Sequence, residues 1–207
     1  MSLTRKRKTK DPCLTCGLHK NLCICSMIPR LSLKTRVCLI IHHRELKRTT
    51  NTGRLALHSL VNSELRVRGD KDRTPLDLSD LLTPHVRSVL FFPTDDADEL
   101  NEAFVNKSQR PIQLIVPDGN WRQASKVTTR HPELQHLERV KLNITNTGSQ
   151  HVRAEHFASG MATLQAIAHA LGIIEGPQVQ EQLLRLYKAK LNATLKGRGI
   201  IADNESE

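Results

Sequence analysis

The chain has 207 residues, a formal charge of +10 and only 3% aromatic residues. That length accommodates one compact domain with an appendage, and no apolar stretch approaches the roughly 20 residues needed to span a bilayer. The Lys and Arg surplus points to a polyanionic partner, because these side chains exchange condensed counterions for phosphate contacts; the alternative is a generically basic soluble protein, since much of the charge sits at the start.

Residues 1–12 read as a basic disordered tail in which Arg5, Lys6, Arg7, Lys8 and Lys10 act as diffuse charge for RNA. The tail lacks the apolar centre of a secretory signal, so a cytoplasmic protein is expected. Residues 13–30 carry Cys13-x-x-Cys16 and Cys23-x-Cys25 around Gly17. Two such pairs on a short loop can wrap one tetrahedral ion, and zinc is the natural candidate. A disulfide framework would need an oxidising compartment, a redox pair would not need four thiols, and an iron-sulfur cluster also uses four cysteines. Four protein ligands leave no open position, so the ion is expected to pin the basic arm to the domain rather than to do chemistry.

Residues 31–196 are expected to form the main domain, with 197–207 a flexible tail. Thr35 to His42 reads as the first core strand, Cys38 within it as a buried, inert thiol, and Thr52 to Val61 as a helix capped by Asn51 or Thr52. Leu65 to Arg68 is a possible short strand; residues 69–84 suggest loop and one short helix. Arg87 to Pro93 reads as a buried strand, followed by a helix from Thr94 or Asp95 to about Phe104. A strand from Ile112, a Pro-Asp-Gly-Asn turn and a helix from Arg122 come next. Leu137 to Leu142 alternates as a strand and leads into a long polar loop. Ala162 to Leu171 is an amphipathic helix ended by Gly172, and Gln178 to Asn192 a second with Leu183, Leu184, Leu186, Tyr187 and Leu191 on its buried side. Strands alternating with helices predict an α/β fold with a mostly parallel sheet covered on both faces. No glycine-rich nucleotide fingerprint follows any strand.

Asp118 and the single tryptophan, Trp121, fall at the carboxyl end of the most apolar strand, where ligands bind in open α/β sheets, and Gly119 permits close backbone approach. The plainer reading is that Asp118 caps the helix and Trp121 packs on the sheet. His42 and His43 end the first strand at the same edge, where a solvated strand end is the alternative. His169 falls within an apolar helix and reads as a satisfied structural residue.

The ordered set of Cys13/Cys16/Cys23/Cys25, Thr50-Asn51-Thr52-Gly53-Arg54-Leu55, Phe91-Phe92-Pro93, Asp118-Gly119-Asn120-Trp121 and Thr163-Leu164-Gln165-Ala166 resembles the DTW-domain family from about residue 13 to about residue 190. Two positions depart from the family pattern: Asn120 stands where threonine is usual, and Gln165 where glutamate is usual. The resemblance implies a SPOUT-like domain, a class whose sheets include knotted ones. It implies transfer of the 3-amino-3-carboxypropyl group from S-adenosylmethionine to N3 of a tRNA uridine, in the variable loop for bacterial members. No membrane and no obligate protein partner are expected.

On that resemblance Asp118 and Trp121 are the candidate catalytic residues. Asp118 would act as base or as the acceptor that orients N3, if the apolar strand and Trp121 desolvate it. Trp121 would stack on adenine or uracil, or face the sulfonium. Phe92, Pro93, Asp118, Gly119, Asn120, Trp121 and Thr163 are the candidate cofactor contacts. Arg153 either grips the cofactor carboxylate or meets a phosphate. Arg54, Arg122 and Lys126 are candidate RNA contacts, with cover of the helix surface as the alternative for Arg54. The rival functions are an S-adenosylmethionine-dependent RNA methyltransferase and a non-enzymatic zinc-containing RNA-binding module.

Overall fold

The computed structural model describes residues 11–70, 75–143 and 161–200. Arg5, Lys6, Arg7, Lys8, Lys10, Arg153 and most of the polar loop before residue 161 lie outside them. Among the described residues six parallel strands, β1 (Arg36–His42), β2 (Ser63–Arg68), β3 (Arg87–Phe91), β4 (Asp98–Glu99), β5 (Ile112–Asp118) and β6 (Glu138–Lys141), form one sheet in the order β2-β1-β5-β3-β6-β4. The α/β architecture expected from alternating strands and helices is therefore present.

The described α-helices flank the sheet: α1 (Gly53–Ser59), α2 (Glu102–Val105), α3 (Trp121–Arg130), α4 (Thr163–Glu175) and α5 (Pro177–Gly197). Strand side chains alternate between two cores. Val37, Leu39, Leu114 and Val116 face α1, α4 and α5, whereas Cys38, Ile40, Leu90 and Ile115 face Ala124 and Val127 of α3. Burial on both faces explains the unbroken apolar runs in β1 and β5. Cys38 is fully buried, and burial pushes its thiol far above the ordinary value. No helix among the described residues is long and apolar enough to cross a membrane.

Two elements differ from the sequence reading. No helix starts at Thr94 or Asp95. Asp96 pairs with Arg139, the Leu100 amide donates to the Lys141 carbonyl, and residues 98–99 become an edge strand beside β6. Only α2 is helical there, capped by Asn101, whose Oδ1 accepts from the Phe104 amide. Nor does the helix from Thr163 stop at Gly172. It runs on to Glu175, because Gly172 is where Gln180 of α5 packs: a Cβ at Gly172 would lie 2.1 Å from Gln180 Oε1. The actual stop is Gly176, at φ +109°, followed by Pro177 at the start of α5.

A candidate active site at the sheet edge and a four-cysteine centre

The chain leaves β1 for β2 through α1 on one face, and leaves β5 for β6 through α3 on the other. The connections from these neighbouring strands run in opposite directions, so their carboxyl ends meet at a topological switch point, where ligands bind in open α/β sheets. Asp118 is the last residue of β5 and lies opposite Ile41 of β1. Following the alternation of Leu114 and Val116, its side chain faces the α1 and α4 layer, where only 6% of the residue is exposed.

Three segments converge on that carboxylate. Asn51 Nδ2 donates to Oδ2 at 2.6 Å, and Thr163 Oγ1 donates to Oδ1 at 2.6 Å. Gly53 allows the approach, since a Cβ there would lie 3.0 Å from both Asp118 Oδ2 and Leu39 Cδ2. Asn51 also accepts from the Arg54 amide through Oδ1, and Thr52 Oγ1 accepts from the Leu164 amide at 3.3 Å. Helix α4 has Ala162 before its first turn and no side-chain cap of its own. Its Leu164 amide is instead met by Thr52, and Thr163 at its first position reaches Asp118, at the helix end where the dipole favours negative charge. Gln165, in the same turn, is buried with no hydrogen-bond partner for Oε1 among the described residues.

Trp121 stands at the carboxyl edge of the strand, as its spacing suggests, but not on the Asp118 side. It opens α3, on the opposite face of the sheet, and its ring lies 4.9 Å from that of buried Phe92 at 38°. The residue remains 47% exposed, so the indole presents aromatic surface at the same edge. Pro93 beside it is exposed. Asn120 caps α3 in a reciprocal box with Gln123, each side chain meeting the other's backbone amide at 2.9 Å. Asparagine in place of threonine therefore keeps the cap. Gly119, at φ +153°, is required: a Cβ would lie 2.8 Å from Gln123 Oε1.

Among the expected RNA contacts, Arg122 is exposed and Lys126 half-buried on α3. Arg54 is engaged within the protein, donating to the carbonyls of Leu46 at 3.1 Å and Leu14 at 3.3 Å. A denser basic surface follows β1. Arg44, Lys47 and Arg48 are exposed, and Glu45, the acid within that run, is buried and paired with Arg48 at 3.1 Å. His42 lies beside Arg68 of β2, which in turn neighbours Arg130. Burial first, then His43, Arg68 and Arg44, hold the His42 imidazole below its ordinary value. The signal was present in His42-His43-Arg44-Glu45-Leu46-Lys47-Arg48, but the run has no periodicity to mark it as one surface.

The four cysteines converge as their spacing predicts. The thiols are free and the Sγ atoms all lie within 4.8 Å of one another. Cys13 and Cys25 stand 3.5 Å apart, Cys13 and Cys23 3.7 Å, and Cys16 and Cys23 3.8 Å. Tetrahedral zinc with Zn–S of about 2.3 Å places its sulfurs about 3.8 Å apart, so this donor set fits zinc. The Cys16 and Thr15 amides hold the Cys13 thiol down to about 6, and burial first, then the other cysteines, push Cys25 up to about 12. The clip is part of the main core, with Cys16, Leu18 and Ile24 packed in the cluster of β1, β5 and α5.

The DTW-domain family model matches residues 10–195. The chain belongs to the DTW-domain family. Two relatives are named tRNA-uridine aminocarboxypropyltransferase 2. The one from Macaca fascicularis is 25% identical over 189 residues, covering 88% of this chain and 63% of the relative. That from Drosophila melanogaster is 25% identical, covering 85% and 72%. This DTW chain thus spans less than two thirds of the macaque protein. The SAM-dependent rRNA:acp-transferase Tsr3 from Vulcanisaeta distributa shares the fold, with a TM-score of 0.50, 20% identity and 79% of each chain covered.

Proposed function

We propose that this DTW domain transfers the 3-amino-3-carboxypropyl group of S-adenosylmethionine to N3 of a tRNA uridine, releasing 5′-methylthioadenosine, with a variable-loop uridine as its target. Family membership and the names of the relatives support the reaction. The observation that carries it on this chain is the carboxylate of Asp118, fixed by Asn51 and Thr163 at the switch point between β1 and β5.

S-adenosylmethionine supplies a sulfonium whose adjacent carbon is electrophilic and whose departure leaves a neutral thioether. The protein's task is orientation, because the carbon chain rather than the methyl group must meet N3. Asp118 serves as an acceptor of fixed direction for the N3 proton, held by two side chains that cannot themselves take that proton. Trp121, backed by Phe92, offers a stacking face for a base drawn out of its own stack. The basic surface from His42 to Arg48, with Arg122 and Arg130, holds phosphate. Cys13, Cys16, Cys23 and Cys25 hold a structural zinc. A zinc thiolate centre and a tRNA substrate both suit a reducing compartment, so the reading includes a cytoplasmic setting.

Two parallel incubations with tRNA test this: one with cofactor labelled in the methionine carbon chain, one labelled in the methyl group. Label reaching tRNA only from the carbon chain, together with methylthioadenosine, is the expected result. Label from the methyl group identifies an RNA methyltransferase. Binding of tRNA without consumption of cofactor leaves only an RNA-binding module.

A further inference from the structure

Lys190 of α5 is fully buried, yet its ammonium ends in a seam rather than in the apolar core. Nζ donates to the Cys16 carbonyl at 2.6 Å and to the Thr49 carbonyl at 2.8 Å. One acceptor lies inside the four-cysteine clip. The other lies two residues before Asn51, whose amide holds Asp118. The same seam is closed by Gly17, at φ +70°, where a Cβ would come within 3.3 Å of Thr49 Cα, and by Arg54, which reaches from α1 to the Leu14 carbonyl. Two neutral carbonyls do not compensate a buried ammonium. The Cys16 carbonyl that it meets belongs to the four-cysteine clip, and four thiolates around one divalent ion remain net negative.

We propose that Lys190 is a positioning residue that couples the metal-loaded clip to the Asp118 site, supplying counter-charge to the thiolate centre while fixing the loop that presents Asn51 and Thr52. The clip then acts as a template for the site rather than as an anchor for the basic tail. The chain of contacts is continuous: the thiolate centre, the Cys16 carbonyl, Lys190, the Thr49 carbonyl, Asn51 and the Asp118 carboxylate. Thr52 extends it to the first turn of α4. The inference deepens the reading of the Asp118 site, and its first two readouts do not depend on transferase activity.

The test uses the zinc-loaded full chain. In the unaltered protein, a competing chelator removes zinc while hydrogen exchange is followed by peptide. Amides of residues 49–54 and 163–166 are expected to lose protection with the metal, while β3 keeps its own. Retained protection at 49–54 in the metal-free, folded protein overturns the proposal. In the second arm, Lys190→Met is compared with Leu186→Ala, a cavity variant of the same helix. Lys190→Met is expected to release zinc to a chromogenic chelator about tenfold faster or more, and to lower kcat with little change in KM for tRNA. Equal zinc release by the two variants at matched loss of Tm reduces Lys190 to ordinary packing and overturns the coupling. Failure of Lys190→Met to fold leaves the decision with the chelation arm. An absence of transferase activity in the unaltered protein counts against the proposed reaction, and the exchange result still decides the coupling.

Discussion

The Asn51 amide and the Asp118 carboxylate, 67 positions apart in sequence, meet at 2.6 Å in the interior. With Thr163 on the other oxygen, this contact ties the loop before α1, the end of β5 and the start of α4 into one unit. The carboxylate therefore has a structural duty and a proposed chemical one, and substitutions separate them.

Asp118→Asn keeps an acceptor for Asn51 and offers an amide to Thr163, whose hydroxyl can turn to accept it. Its expected cost in stability is below about 1 kcal/mol, while transfer falls to background. Asp118→Ala strands two buried donors and is expected to cost about 3 kcal/mol. Thermal unfolding beside a labelled-transfer assay reads both, and an Asp118→Asn protein with near-normal rate would remove the carboxylate from the chemistry.

Trp121 is half-exposed, so Trp121→Ala should leave Tm within a few degrees of the parent. Loss of a stacking face is worth roughly 1–3 kcal/mol per base, which predicts a fall of about fivefold or more in kcat/KM. Trp121→Phe should recover much of it, because a smaller ring still rests on Phe92. If the alanine variant behaves like the parent in steady-state kinetics, the indole is not a ligand platform.

The basic surface after β1 is tested by Arg44→Glu with Lys47→Glu. Both side chains are exposed, and the hydrogen bonds that fix Asp118 come from Asn51 and Thr163 instead. Binding of tRNA, followed by fluorescence anisotropy across a salt series, should weaken, and the log–log salt slope should fall by about 0.9 for each phosphate no longer neutralised. An unchanged slope would place the RNA elsewhere.

Arg87 clamps Glu138 through two bonds of 2.7 Å, donates to the Phe104 carbonyl at 2.8 Å and stacks over the Phe104 ring. The Arg87 bond holds the Glu138 carboxyl below its ordinary value. A depressed folded value means stability that is present above the unfolded value of about 4.3 and lost as pH falls through the folded one. Arg87→Met is expected to lower stability by about 1–3 kcal/mol at pH 7. The gap between parent and variant in urea midpoint should narrow below about pH 4. A gap constant from pH 7 to pH 3 would assign the whole effect to packing and the Phe104 carbonyl.

Much of this architecture is legible in the sequence because burial on both faces writes unbroken apolar runs. Val37 to Ile41 and Ile112 to Val116 stand out as central strands, and the cysteine pairs point to one ion. Legibility fails where the partner of a residue is remote. Gly172 reads as a stop because Gln180 is not visible beside it, and Thr94 to Ala97 reads as a helix start because Arg139 and Lys141 are far along the chain. The cap of α4 belongs to Thr52, 112 residues before Leu164. Lys190 looks like any lysine of an amphipathic helix, and only the fold reveals that it points inward.

Strand β5 also has a consequence for how the protein is made. It lies between β1 and β3, which are both synthesised before it and never pair with each other. Until residue 118 has left the ribosome, each of those apolar strands keeps an open edge able to bind a neighbouring nascent chain. Insertion of β5 closes both of those edges at once, whereas the far edge of β3 stays open until β6 is made, so the segment ending in Asp118 removes two exposed edges midway through translation.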